Sequence, residues 1–241
     1  AVLITHGTDT LEETAFFLHQ VLPADLLAAK PVLLTCAMRP ASALVPDGPQ
    51  NLADTLAVAR TPGACGVMVV CAGSVHEALQ AQKVHPYRLD AFGSGDAGVV
   101  GYVEEGRLRL VKPWPVGGAA AAGLSLAQLA QVKSWPRVEI VMNYVGASGT
   151  TVDALLAGVP GAAPLRGIVV AGTGNGSLHH SLEQALLSAQ SQGVQVVRAT
   201  RCALGQGLPT GKDKFADARG LSPVKARIAM MLALLVQDGA I

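Results

Sequence analysis

The sequence predicts an α/β protein in which parallel strands lie between layers of helices. Three observations carry that expectation. Apolar runs of strand length alternate with helix-like segments along most of the 241 residues. Those runs are apolar throughout, as strands covered on both faces are, and do not alternate polar with apolar residues. The alternation breaks once, at a Pro-, Gly- and Ala-rich stretch, and then resumes.

Val2–Thr5 reads as a strand and Leu11–Leu22 as a helix, with Glu12 and Glu13 in its first turn complementing the helix dipole. Pro31–Cys36 is a second strand, Asn51–Arg60 a helix and Gly66–Ala72 a third strand. "GYVEEGRLRLV" reads as a hairpin turning at Glu105-Gly106, so the first sheet is expected to be mixed. Lys112–Pro136 reads as a linker holding an Ala tract and one short helix. Beyond it, Val138–Met142, Gly167–Ala171 and Val194–Arg198 read as strands, alternating with helices at Thr151–Ala157 and Leu178–Gln192. The last helix, Ser222–Val236, has Ser222 as its expected N-cap and Pro223 at its first position. The expectation is two Rossmann/flavodoxin-like domains. The larger, over 1–112, has a mixed sheet and is entered part-way; the smaller, over 136–241, has a parallel sheet; 113–135 link them.

Composition narrows the function classes. Net charge is +1 with no basic block, which lacks the electrostatic footprint of a nucleic-acid binder. Apolar runs are short and broken by Gly, Pro or charge, so no membrane-spanning helix is expected. Cys36, Cys65, Cys71 and Cys202 form no CxxC motif and read as free thiols in a reducing compartment.

Several clusters could carry chemistry. "AGTGNGS" (Ala171–Ser177) follows a strand and opens a helix, but a dinucleotide fingerprint would need Gly where Ser177 stands. No acidic residue ends the next strand either. The glycines are explained by a tight turn, with Asn175 beside a helix N-terminus as a second candidate reading. His179 and His180 are adjacent on an expected helix and so point about 100° apart. A solvated face is the expectation there, and no metal or cofactor is expected. "AMRP" (Ala37–Pro40) and "DGPQN" (Asp47–Asn51) flank strand and helix ends, where ligand loops and ordinary turns both occur. Thr8 and Asp9 stand just beyond a strand's carboxyl end. A hydroxyl there becomes reactive only beside a base, and Lys83 is a candidate. The alternative for Thr8-Asp9 is a helix cap with an Asx-turn.

"ITHGTDTLEETAFFL" resembles a signature of the bacterial-type L-asparaginases, the asparaginase/glutaminase amidohydrolases. The resemblance continues through "AMRP", "DGPQNL", "LDAFGSGDAGVVGYV", "AGTGNGS" and "LSPVKARIAMMLAL", and so spans essentially the whole chain. It implies hydrolysis of L-asparagine to L-aspartate and ammonia, with L-glutamine as a candidate slower substrate. It places a catalytic Thr–Lys–Asp group on Thr8, Lys83 and Asp9, with Thr8 and Asp9 also contacting the substrate and Asp9 receiving its α-amino group. It puts the Ala37 carbonyl against the amide to be cleaved and Asn175 at a neighbouring subunit's site, in a homotetramer built as a dimer of dimers. "LPTGKDKFADA" matches the family too poorly to assign the acidic residue that the neighbouring subunit would contribute.

The resemblance also implies an upstream "TGGTI" strand bearing the nucleophilic Thr, and a Ser that binds the substrate carboxylate. Neither is among these residues, so the 241-residue chain alone is expected to be inactive. Thr8 is then expected either to assist the attack or to prepare the water that resolves an acyl-enzyme. Two alternatives stand beside the hydrolase: an ammonia-supplying subunit of a tRNA-dependent amidotransferase, which the near-neutral charge disfavours, and a non-catalytic amino-acid-binding remnant. Cytoplasmic location is expected, with the periplasm as the alternative.

Overall fold

A computed structural model describes residues 1–115 and 124–237. The Ala tract of the expected linker lies outside the described residues. The chain divides into two compact units, Ala1–Leu126 and Ala127–Ile241.

The first unit begins with β1 (Val2–Thr5), α1 (Leu11–Val21), α2 (Ala24–Ala29), β2 (Val32–Thr35), α3 (Gly48–Arg60) and β3 (Val67–Cys71). It continues through β4 (Ser74–Glu77), β5 (Gln82–Lys83), β6 (Phe92–Gly93), β7 (Gly101–Glu104) and β8 (Arg107–Leu110). Six of these strands form a sheet in the order β1-β2-β3-β4-β7-β8, while β5 and β6 pair separately. The pairs β1–β2 and β2–β3 are parallel; from β3 onward each pair is antiparallel. The sheet is therefore mixed, as expected.

Period-two geometry explains why β2 and β3 are apolar without interruption. Val32 and Leu34 of β2, with Val67 and Val69 of β3, face Leu11 and Ala15 of α1 and Leu27 of α2. Leu33, Met68 and Val70 point the other way and pack with Val58 of α3. β1 departs from the expectation of two covered faces: Val2 is 43% exposed, and the strand lies at the edge of the sheet.

Helix ends follow local chemistry. α1 stops at Leu22, held extended before Pro23. α3 starts three residues before the sequence-predicted Asn51, because Pro49 suits a first turn that has no use for its missing N–H. Two hairpins turn on paired left-handed residues, Ala72 (φ 49°) with Gly73 (φ 73°) and Glu105 (φ 48°) with Gly106 (φ 70°). Both join strands through two residues, as a twisted hairpin requires. On β4, His76 is buried, and its Nδ1 lies 2.8 Å from Ser94 Oγ, tying that strand to the segment after β6.

The second unit contains β9 (Arg137–Met142), α5 (Thr150–Ala157), β10 (Leu165–Gly172), α6 (His180–Ser191), β11 (Gln195–Thr200), β12 (Ala216–Asp217) and α7 (Pro223–Gln237). Just before β9 lies a single helical turn, α4 (Leu126–Leu129), the short helix expected in the linker. The four strands run in the order β12-β11-β10-β9, all parallel. β10 is central: Ile168 and Val170 meet Leu182 and Leu186 of α6, while Val169 meets Met230 and Leu234 of α7. Ser222 precedes α7 as expected, but its hydroxyl is buried without a hydrogen-bond partner, so it does not cap by side chain. Among the described residues, no helix is long and apolar enough to cross a membrane.

Candidate functional site

Parallel pairing brings the carboxyl ends of β1, β2 and β3 to one rim, with Thr5 opposite Thr35 and Thr35 opposite Val70. The segments leaving that rim carry Thr8 and Asp9 after β1, Ala37 after β2 and the Ala72–Gly73 turn after β3. Such rims are where α/β sheets place their ligand loops.

Lys83 arrives there from β5. Its Nζ donates to Thr8 Oγ1 at 2.8 Å and to Asp9 Oδ1 at 2.8 Å. Thr8 Oγ1 itself donates to Asp9 Oδ1 at a longer 3.4 Å. The hydrogen bond from Lys83, and then its charge, hold the Asp9 carboxyl below its ordinary value. Three residues that the family resemblance grouped are within hydrogen-bond reach of one another. The capping alternative does not describe them: α1 is capped at Thr10, without a side-chain bond, and neither Thr8 nor Asp9 caps it.

Neighbours that the sequence did not single out hold this group in place. The Glu12 carboxylate, buried in the first turn of α1, accepts the backbone N–H of Lys83. His6 lies between Gly7 O, 2.7 Å from Nδ1, and Thr14 Oγ1, 2.9 Å from Nε2, which fixes the turn that presents Thr8. Glu12 follows Thr8 by four residues, a spacing that could have signalled a shared role.

Ala37 is exposed, and the loop around it is fixed by side chains from "DGPQN". Asp47 accepts the N–H groups of Met38 and Arg39, both at 2.8 Å. Burial alone would raise the Asp47 carboxyl, but these donors and the Asn51 amide outweigh it and hold it low. Asn51, 1% exposed, donates to Cys36 O at 2.9 Å and accepts from Ala72 N at 2.9 Å, joining the ends of β2 and β3. Of the two readings open for these motifs, loop-fixing chemistry describes Asp47 and Asn51.

Asn175 belongs to the second unit. Its amide is engaged at both ends by one residue, donating to Leu208 O at 2.9 Å and accepting from Leu208 N at 2.7 Å. The loop around it closes on itself through paired Thr173 and Ser177 backbones, so those N–H groups are not offered to a phosphate. His179 corrects the expectation of a solvated helical face. It is half-buried at the N-cap of α6, where its ring accepts from Ser181 N. Among the described residues, no group of three or more His, Cys, Asp or Glu is arranged to hold a metal ion.

Chemically, the first unit's cluster offers a hydroxyl, an amine and a carboxylate joined in a proton-transfer chain, the grouping that activates a weak oxygen nucleophile.

Comparison with known proteins places both units in one family. The family model described as "Asparaginase, N-terminal" matches residues 1–115, and "Glutaminase/Asparaginase C-terminal domain" matches 137–239. The chain is 35% identical to "L-asparaginase 2" of Bacillus subtilis, covering 97% of this chain and 60% of that protein. It is 36% identical to "Glutaminase-asparaginase" of Acinetobacter glutaminasificans, covering 99% of this chain and 71% of that one. Among solved structures, a "Probable Cytoplasmic L-asparaginase from Campylobacter jejuni" is similar at TM-score 0.84 and 34% identity, over 97% of this chain and 72% of its own. The chain thus spans about three fifths of the length of the B. subtilis relative.

Proposed function

Because this chain belongs to the asparaginase family, we propose that the protein hydrolyses L-asparagine to L-aspartate and ammonia, with L-glutamine as a slower substrate. The observation that carries this reading is the contact of Lys83 Nζ with both Thr8 Oγ1 and Asp9 Oδ1. In it, Thr8 is the hydroxyl to be activated, and Lys83 is the base that takes its proton. Asp9 orients the lysine and offers a carboxylate to the substrate's α-amino group.

The Ala37 carbonyl contacts the amide to be cleaved, and Asn175 contributes to a site on another copy in a homotetramer. Residues 1–112 and 136–241 are its two domains, with 113–135 between them. The primary nucleophile is a Thr outside the 241 residues, which attacks the amide carbon to give an acyl-enzyme. Thr8 then serves either that attack or the water that resolves the intermediate. Four free thiols support a cytoplasmic location, as does similarity to a relative titled cytoplasmic.

The test compares ammonia release from L-asparagine by the natural full-length protein and by the 241-residue polypeptide alone. Activity only in the former is expected. Equal activity in both would place the nucleophile within these residues, and absence from both, with L-aspartate still binding calorimetrically, would favour the non-catalytic alternative.

A further inference from the structure

Cys36 and Cys71 stand side by side at the rim that carries the proposed site. Each is one residue beyond the paired Thr35 and Val70 of β2 and β3. Their sulfur atoms are 3.6 Å apart, both thiols are free, and both residues are buried. Buried cysteines are ordinarily inert small apolar residues, but two features set this pair apart. Each thiol has the other as its reaction partner. Beside them lies a cleft of about 870 Å³, lined in part by Asn51, Ala72 and Leu89. All three adjoin the pair: Asn51 bonds the Cys36 carbonyl, Ala72 follows Cys71, and Leu89 O accepts from the Cys71 thiol at 3.6 Å.

We propose that Cys36 and Cys71 form an oxidation site that takes a small peroxide, closes to a disulfide and thereby displaces the Ala37 loop, slowing amide hydrolysis. The last step rests on the amidase reading; the disulfide itself does not. Cys36 Sγ attacks one oxygen of hydrogen peroxide and the O–O bond breaks. The leaving hydroxide takes the Cys36 proton as water, and Cys36 is left as a sulfenic acid. Cys71 Sγ then attacks Cys36 Sγ, the S–O bond breaks, and the departing hydroxide leaves with the Cys71 proton as a second water. The sulfurs lose two electrons in all, which reduce the peroxide.

The order of attack follows from the shared hydrogen bond. That bond holds the Cys36 thiol below its ordinary value, while the same bond and burial raise Cys71 and keep its proton in place. Closing the bridge brings the sulfurs about 1.5 Å nearer, to the ~2.05 Å of a disulfide. The residue after Cys36 is Ala37, and the Cys36 carbonyl is the one that Asn51 holds, so the strain falls on the loop next to the site.

The experiment treats the natural full-length protein, carrying Cys65→Ser and Cys202→Ser, with hydrogen peroxide. It then blocks remaining thiols and maps peptides by mass. A Cys36–Cys71 cross-link short of two hydrogens is expected, with ammonia release falling by up to about 10²-fold as a site group moves by about an ångström. Dithiothreitol should reverse both changes, and Cys71→Ala should abolish the reversible loss. Both thiols still open to alkylation after treatment that oxidises Cys202 of the wild type would overturn the oxidation site. A cross-linked protein with undiminished ammonia release would overturn its coupling to the loop. Because the mass readout needs no turnover, failure of the disulfide is distinct from failure of the amidase reading.

Discussion

Replacing Lys83 by Met keeps an unbranched stem of similar length, with a thioether sulfur in place of one methylene, and removes the amine. In the native site that nitrogen makes two contacts at 2.8 Å, to Thr8 Oγ1 and Asp9 Oδ1. The Asp9 side chain is 92% exposed, so water replaces the bond it loses, and Met keeps the partly buried stem of residue 83 in place, so the ion pair's loss costs little in folding. The backbone of residue 83 keeps its bond to the Glu12 carboxylate and its pairing with Phe92. The urea unfolding midpoint is therefore expected to stay put while turnover collapses. A positioned base contributes about 10²- to 10⁴-fold, or about 3 to 5 kcal/mol of barrier. Steady-state ammonia release by the natural full-length protein should show the loss in kcat. The Asp9 carboxyl, followed by NMR, should titrate at higher pH once its cationic partner is gone. Wild-type kcat in the folded variant would refute the proton-transfer role, and an unmoved Asp9 midpoint would refute the persistence of the contact in solution.

Thr8→Val keeps the shape of the side chain but deletes the hydroxyl; kcat should fall by about 10²-fold or more with the Lys83–Asp9 pair intact, and unchanged turnover would exclude Thr8 from the chemistry. Asn51→Ala leaves the Cys36 carbonyl and the Ala72 N–H without their partner, at about 1–3 kcal/mol each, so urea denaturation should show a loss of about 2–6 kcal/mol. Burial first, and the charge of Lys112 second, lower His76 from 6.5 to about 4. The unfolded chain therefore binds a proton that the folded one refuses. Stability is fully present above about pH 6.5 and falls by about 3 kcal/mol as pH drops to about 4. His76→Gln should flatten that part of the stability profile; an identical pH dependence in wild type and variant would assign it to other groups.

The strands of the parallel core were legible because β2 and β3 are buried on both faces, with Thr35 at the end of β2 the one hydroxyl in an otherwise apolar pattern. The Glu105-Gly106 hairpin was legible because Gly marks a left-handed turn between two alternating strands. The equivalent turn before β4 was not, since Ala72 adopts φ 49° where Gly, Asn or Asp would have signalled it. Thr8 and Asp9 were readable from their place after a strand. Their meeting with Lys83 came only from the family resemblance, because no local periodicity encodes a contact across more than seventy residues. Glu12 was read as a dipole-complementing residue of the first turn, and its bond to the Lys83 backbone is a tertiary event with no local signature.

Asp47 and Asn51 give the rim a property that its own residues do not carry. The group that Ala37 would present to a substrate is a main-chain carbonyl, which any amino acid at that position supplies. What distinguishes this loop is the path of its backbone, and that path is written ten and fourteen residues away, in one carboxylate and one amide. Side-chain replacement at position 37 would therefore be nearly silent, while changes at two residues that need never touch a ligand would speak loudly. A search for determinants of selectivity confined to groups that touch the substrate would miss the place where the loop's shape is recorded.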